Sequence, residues 1–157
     1  MEGPLRKALL IMAGGGLTTA LLFAFLKLLP QGSPQSPEGE VRGTLERIER
    51  AVERLEFARA LKFISRDYGD PSGNTYRSLR RAALRAKREI SFLRVSVIGG
   101  WDVRVEGGRA TARGKVLYTL LTRSGEAERD VLDLLVHLRR EQGRWLVYRV
   151  DGLPSVE

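Results

Sequence analysis

The sequence predicts an α+β domain, two helices followed by a run of antiparallel strands, behind one apolar N-terminal helix. Three observations predict it. Apolar residues recur at three- and four-residue steps from Thr44 to about Ile90, alternate with polar ones after Ile90, and are punctuated there by short turns ending in glycine. The N-terminal stretch "RKALLIMAGGGLTTALLFAFLKLLP", residues 6–30, shows neither pattern.

From Ala8 to Leu26 there are nineteen residues without a charge, between Arg6-Lys7 and Lys27. As a helix they reach about 28 Å, close to the hydrocarbon thickness of a bilayer. A cleaved signal has a shorter apolar core and small residues at its cleavage site, and Phe23 to Pro30 offers none. Without cysteine there is no lipid-attachment thiol either. The expectation is a membrane anchor over 8–29, with a cytoplasmic tail over 1–7. Arg6-Lys7 against the single Lys27 places the N-terminus inside and the rest of the chain outside the cytoplasmic membrane.

Residues 30–43, "PQGSPQSPEGEVRG", are rich in proline, glycine and serine and read as a flexible tether. The domain then occupies 44–153, enough chain for one core, and a fragment starting near Gly43 is expected to fold alone. The chain of 157 residues carries 27 basic and 19 acidic side chains, with arginine well ahead of lysine. Asparagine occurs once, glutamine three times, methionine twice and cysteine never. Scarcity of labile side chains suits a thermophilic bacterium, while a GC-rich genome would give the same arginine bias. Lack of cysteine excludes disulfides, thiol nucleophiles and cysteine metal sites.

Leu45, Ile48, Val52, Leu55, Ala58, Leu61 and Ile64 draw one stripe on a helix over Thr44–Tyr68, which "YGDPSGN" ends. A second helix covers Thr75–Ile90 with Tyr76, Leu79, Ala83, Ala86 and Ile90 inward. "FLRVSVI" and "WDVRVE" alternate, and Gly107-Gly108 turns the latter into "RATARGKVLYTLLT". Ser124-Gly125 and Gln142-Gly143 turn into "RDVLDLLVHLRR" and "RWLVYRV". The strands should form a curved sheet around the first helix.

This order, with "FISRDYGDPSG" (Phe63 to Gly73), "GGRATARGKVLY" (Gly107 to Tyr118) and the stretch from Leu134 to Trp145, resembles the nuclear transport factor two-like superfamily, including its SnoaL-like members. The resemblance covers about two thirds of the chain. It implies a cone-shaped domain, and a function anywhere among isomerases, cyclases, dehydratases, ligand binders and inert scaffolds. An anchor followed by such a domain is similar to inner-membrane scaffold subunits of type IV secretion systems and to membrane proteins associated with lipid-import complexes.

Enzymes of that superfamily use acidic, histidine and tyrosine side chains inside the cone. The candidates are His137, Tyr118, Asp67 and Tyr68, with Tyr148 and Asp102 as further partners for the one histidine. Strand parity puts Asp133 and His137 on one face, yet about 13 Å apart, too far to pair. A lone mid-strand histidine is a packing residue unless a second catalytic group meets it, so no catalytic residue is assigned. Asp67-Tyr68 reads as a loop anchor, and Trp101 and Trp145 as core fillers. No phosphate loop or nucleophile elbow occurs, and one histidine without cysteine makes no zinc site. No metal and no cofactor are expected.

In "YRSLRRAALRAKRE" the residues Arg77, Arg81, Arg85 and Arg88 form one basic row, flanked by Arg80 and Lys87. Such a row repels itself unless anions are near, either acids of neighbouring elements or a partner. Outside a membrane the available anions are lipid head groups, cell-wall polymers and acidic protein surfaces, and no nucleic acid is expected. Two functions follow. One is a membrane-anchored, non-catalytic scaffold or binding domain that docks a protein or anionic partner, with a homodimer through the sheet as one arrangement. The other is a small-molecule binder or isomerase-like enzyme using the cone interior. A cone filled by leucine and valine favours the first, and an open cavity with convergent polar groups the second.

Overall fold

A computed structural model describes residues 36–156. The expected tail, the anchor over 8–29 and residues 30–35 of the tether lie outside them. Among the described residues no helix is long and apolar enough to cross a membrane.

The first helix, α1, spans Pro37–Glu53. Residues 37–43, read above as tether, are therefore its first two turns. Ser36 caps it by accepting from the Gly39 N–H at 3.0 Å, Pro37 takes the first helical position, and Glu38 and Glu40 face the positive end of the helix dipole. The glycines and prolines that suggested a tether here serve a helix start. Val41 is fully buried and repeats with Leu45, so the apolar stripe begins one turn before Thr44.

Nor does this helix run to Tyr68. Leu55 takes a left-handed conformation at φ 59°, while the Glu56 N–H reaches Ala51 O at 2.8 Å and the Leu55 N–H reaches Val52 O at 2.9 Å. That pattern is a Schellman stop, usually built on glycine, here built on leucine. A short α2, Phe57–Ala60, and a 3₁₀ turn, Leu61–Phe63, carry the chain on. It then lies along the last strand: the Ser65 N–H donates to Val147 O at 2.8 Å and the Gly69 N–H to Tyr148 O at 3.1 Å.

Helix α3, Tyr76–Glu89, begins in a capping box between Thr75 and Ser78. The loop before it is built on Asp70. Its carboxylate accepts from the Ser72 and Asn74 N–H groups at 2.9 and 3.0 Å, and from Tyr68 Oη at 2.7 Å. Asn74 is buried; its side chain donates to Pro154 O and accepts from the Val156 N–H, which straps the chain's C-terminal segment to the start of α3.

Four strands follow: β1 Ile90–Glu106, β2 Arg109–Thr122, β3 Ala127–Glu141 and β4 Arg144–Asp151. They form one antiparallel sheet in sequence order. The two segments read as separate strands before Gly107 are one strand, β1, whose register shifts between Ile98 and Asp102. Gly99 and Gly100, at φ 74° and 79°, make that irregularity. Inward residues alternate as expected: Ala110, Ala112 and Val116 on β2, then Leu134, Val136 and Leu138 on β3, are buried. They form the core with Val41, Leu45, Trp145 and Val147. Phe92, Ile98, Leu121 and Val131 stand exposed at alternate positions on the opposite face.

Candidate functional site

The cone is open. Between α1, α3 and the inner face of the sheet lies a cavity of about 460 Å³. Leu79, Ala82, Ala83 and Ala86 of α3 form one wall, and Val95, Val116, Leu132 and Val136 of the sheet face them. Leu45, Ile48 and Val52 of α1 supply a third. None of the α3 wall residues is fully buried, because the cavity keeps them from closing on the strands. Four side chains bring polar atoms to this lining: Glu49, Trp101, Tyr68 and Tyr118.

Each of the four already has a partner. Trp101 Nε1–H donates to Glu49 Oε1 at 2.7 Å. Burial pushes the Glu49 carboxyl above its ordinary range; the Trp101 hydrogen bond opposes this, and the Glu46 and Glu53 charges add to the rise. Tyr68 turns its hydroxyl to Asp70, so only its ring faces the cavity, and burial followed by that hydrogen bond holds its proton far above the phenol range. Tyr118 donates to Glu128; that bond first, then burial, pushes its hydroxyl up to about 12.

No family model and no curated protein matches the sequence. Solved structures match the fold. A nuclear transport factor two-like protein from Salmonella enterica serovar Typhimurium superposes with TM-score 0.62 at 14% identity, over 75% of this chain and 91% of that one. A ketosteroid isomerase-like protein from Erwinia carotovora atroseptica gives 0.60 at 14% identity, over 74% and 94%. A Novosphingobium aromaticivorans protein, whose name proposes it as an aromatic ring hydroxylase, gives 0.65 at 18% identity, over 77% and 94%. The described domain has the nuclear transport factor two-like fold.

Within this nuclear transport factor two-like domain the four sequence-selected candidates separate. Tyr118 and Tyr68 line the cavity. His137 does not, because it alternates with the buried Val136 and Leu138 and therefore lies on the outer face of the sheet. There its Nε2 meets Asp151 Oδ2 at 3.1 Å, and its ring lies 6.0 Å from that of Tyr148. Arg149 donates to the same carboxylate at 2.6 Å and, ahead of His137, holds Asp151 below its ordinary range. The histidine thus has a carboxylate partner, from the neighbouring strand rather than from Asp133. Asp67 is also outside, paired with Arg139 at 2.9 Å, and Asp102 is exposed beside Arg104 at 3.7 Å. Among the described residues no three histidine, aspartate or glutamate side chains gather into a metal site.

Glu49 escaped the sequence reading. It falls between Ile48 and Val52, inside the apolar stripe of α1, at a position where an exposed acid would not be expected. That placement was the available signal. Trp101 does more than fill core, since it lines the cavity and binds this acid, while Trp145 is buried with its N–H on Glu40 at 3.0 Å.

The basic row lies on the exposed side of α3. Arg77, Arg80, Arg81, Arg85, Lys87 and Arg88 are all exposed. No ion pair among the described residues includes any of the six. Arg85 donates to the backbone carbonyl of Val156.

Proposed function

We propose that the domain is a non-catalytic binding module that holds an apolar small molecule inside its cone. The observation that carries this reading is the 460 Å³ cavity whose lining is almost wholly apolar. Apolar pockets of a few hundred Å³ are the usual size for small ligands. The hydroxyls and the indole N–H that reach it are engaged, and among the described residues of its wall Glu49 supplies the one carboxyl. An acid and a base converging on one point, which proton transfer at a bound carbon needs, are not part of this arrangement. The filled cone that would favour a pure scaffold is not what supports the reading; an open one does.

The ligand test is a titration of the full chain, in a fixed concentration of neutral detergent, with the uncharged fluorophore N-phenyl-1-naphthylamine. Saturable binding that quenches Trp101 is expected. Ala83→Phe, which fills the cavity, should weaken it at least tenfold while leaving the folded spectrum intact. Binding that ignores Ala83→Phe, or no saturable binding at all, sinks the proposal.

A second reading, docking of an anionic partner outside a membrane, is favoured by the six α3 cations that make no ion pair among the described residues. It goes with residues 8–29 as a single-pass anchor, N-terminus inside. Protease added to the outer side of spheroplasts should then digest the domain, and full protection refutes that topology. Phe92, Ile98, Leu121 and Val131 support a homodimer through the outer sheet face; sedimentation of Phe92→Lys against the unaltered protein tests it, with an unchanged mass as the losing result.

A further inference from the structure

A second concavity lies against the first. It is a surface groove of about 750 Å³ between the 3₁₀ turn, the start of α3 and the β3–β4 turn. Four cations line it: Lys62, Arg66, Arg80 and Arg144. No ion pair among the described residues involves any of the four. Two are held in place by other means. The Arg66 guanidinium sits 4.4 Å over the Tyr76 ring, and Arg144 donates to the Lys62 carbonyl at 3.3 Å while lying 5.8 Å over Phe63. The one acid of the lining, Glu141, accepts from Arg139 at 3.1 Å. Among the described residues the groove therefore sets four cations that make no ion pair against one acid.

The groove and the cone share part of their lining. Leu61 and Ile64 line both the groove and the internal cavity. These two apolar side chains are shared by an apolar chamber and a cationic groove. Exposed cations grouped over a concave surface attract anions, and an apolar chamber next to them takes a hydrocarbon.

We infer that the ligand is a single-chain anionic amphiphile, with its hydrocarbon in the cone and its carboxylate or phosphate in the groove on Lys62, Arg66, Arg80 and Arg144. The chain passes between Leu61 and Ile64. This rests on the reading that the cone holds an apolar molecule, and it adds the charge and position of the head. An apolar body without a head would leave the groove unused, and a free anion would leave the cone unused.

Dodecanol, dodecanoate, dodecyl phosphate and inorganic phosphate are titrated into the full chain, in a fixed concentration of neutral detergent so that partitioning is shared by all variants. Dodecanoate and dodecyl phosphate should bind about tenfold more tightly than dodecanol, from several partly solvated charge contacts of modest strength each. Lys62→Gln with Arg80→Gln should erase that preference, because neither side chain is part of a hydrogen bond or stack that the fold uses. Arg94→Gln with Arg113→Gln, the same charge loss on the outer sheet face, should keep it. Ala83→Phe, or Ala86→Leu if the larger residue disturbs folding, should weaken alcohol and anions alike. The methyl resonances of Leu61 and Ile64 should shift with every chain-bearing probe and not with inorganic phosphate. Equal affinity for dodecanol and dodecanoate, or a preference that survives Lys62→Gln with Arg80→Gln, overturns the inference and leaves the apolar cone standing. Inorganic phosphate binding as tightly as dodecyl phosphate overturns it too, leaving a plain anion site. Failure of every chain-bearing probe removes both readings together.

Discussion

Trp101 Nε1 lies 2.7 Å from Glu49 Oε1, which puts an indole and a carboxylate of α1 together at the wall of an apolar cavity. The same tryptophan is held through its backbone, since Arg42 donates to Trp101 O at 2.6 Å. One more bond closes the seam between α1 and β1: Glu53 Oε1 accepts from the Val95 N–H at 2.9 Å. A residue next to the irregularity at Gly99-Gly100 is thereby fixed to the helix that the sheet surrounds.

Glu49 should make the domain less stable as pH rises through the weakly acid range. Its folded-state pKa is raised from 4.5, mainly by burial. Between the unfolded and folded values the folded state binds more protons, so stability falls with pH there and stays lower above. Glu49→Gln keeps an acceptor for Trp101 and removes the charge. At pH 7 the variant should melt about 1–3 °C higher, a small gain because solvent screens the half-buried carboxyl. At pH 3.5 the two proteins should melt together. Calorimetry at both values decides; a lower melting temperature for Glu49→Gln at pH 7 means the ionised carboxylate is itself stabilising.

Gly114 is the counterpart of Trp101 on β2. A Cβ there would stand 2.7 Å from Trp101 Cε3 and 3.0 Å from Val97 Cγ1. The ring lies on bare backbone and cannot retreat without breaking its bond to Glu49. Gly114→Ala should therefore cost about 1–3 kcal/mol, as overpacking does. It should also change the Trp101 emission, and Trp101→Phe in the same background should return part of the loss. Stability within about 0.5 kcal/mol of the parent would show that the ring yields freely.

The start of α1 makes a sharper claim than the tether did. A fragment from Pro34 retains the Ser36 cap, the buried Val41, and Glu40, which accepts from Trp145 Nε1 and Arg140. A fragment from Gly43 loses all three. It should be less stable by about 3 kcal/mol or more, chiefly from the cavity left at Val41 and the unpaired indole N–H. Urea unfolding of the two fragments measures the difference. Equal midpoints would mean that residues 37–42 add nothing to the core.

These elements show what a sequence can carry. The α3 boundaries, within one residue at each end, and the face that His137 shares with Asp133 follow from local periodicity, and the structure agrees with both. The start of α1 was hidden because Ser36-Pro37-Glu38-Gly39 uses helix-capping residues that also make loops. Its end was hidden because the left-handed position belongs to Leu55, where no glycine announces it. The His137–Asp151 and Trp101–Glu49 contacts depend on strand register and helix docking, and no spacing along the chain encodes those. Whether the cone stands open is a property of packed volume, decided by several small α3 side chains at once.

The basic row of α3 can be stripped without harm to the fold. Arg77, Arg81 and Arg88 have no carboxylate within pairing distance among the described residues, while Arg85 also holds Val156 O. Replacing Arg77, Arg81 and Arg88 by glutamine removes mutual repulsion at little cost in helix propensity, so stability should stay within about 0.5 kcal/mol of the parent or rise. Adding Arg85→Gln should give a further small loss, from the freed C-terminal segment. If the row meets an anionic surface, the triple variant should bind phosphatidylglycerol vesicles at least tenfold more weakly, at roughly 1 kcal/mol per cation near the surface. The parent's binding should also fall between low and physiological salt, while that of the variant changes less. Cosedimentation of both proteins at two salt concentrations reads the effect. Equal binding leaves the row as a hydrated helix face, and a large loss of stability in the triple variant would mean that the arginines are tied internally in a way the described contacts do not include.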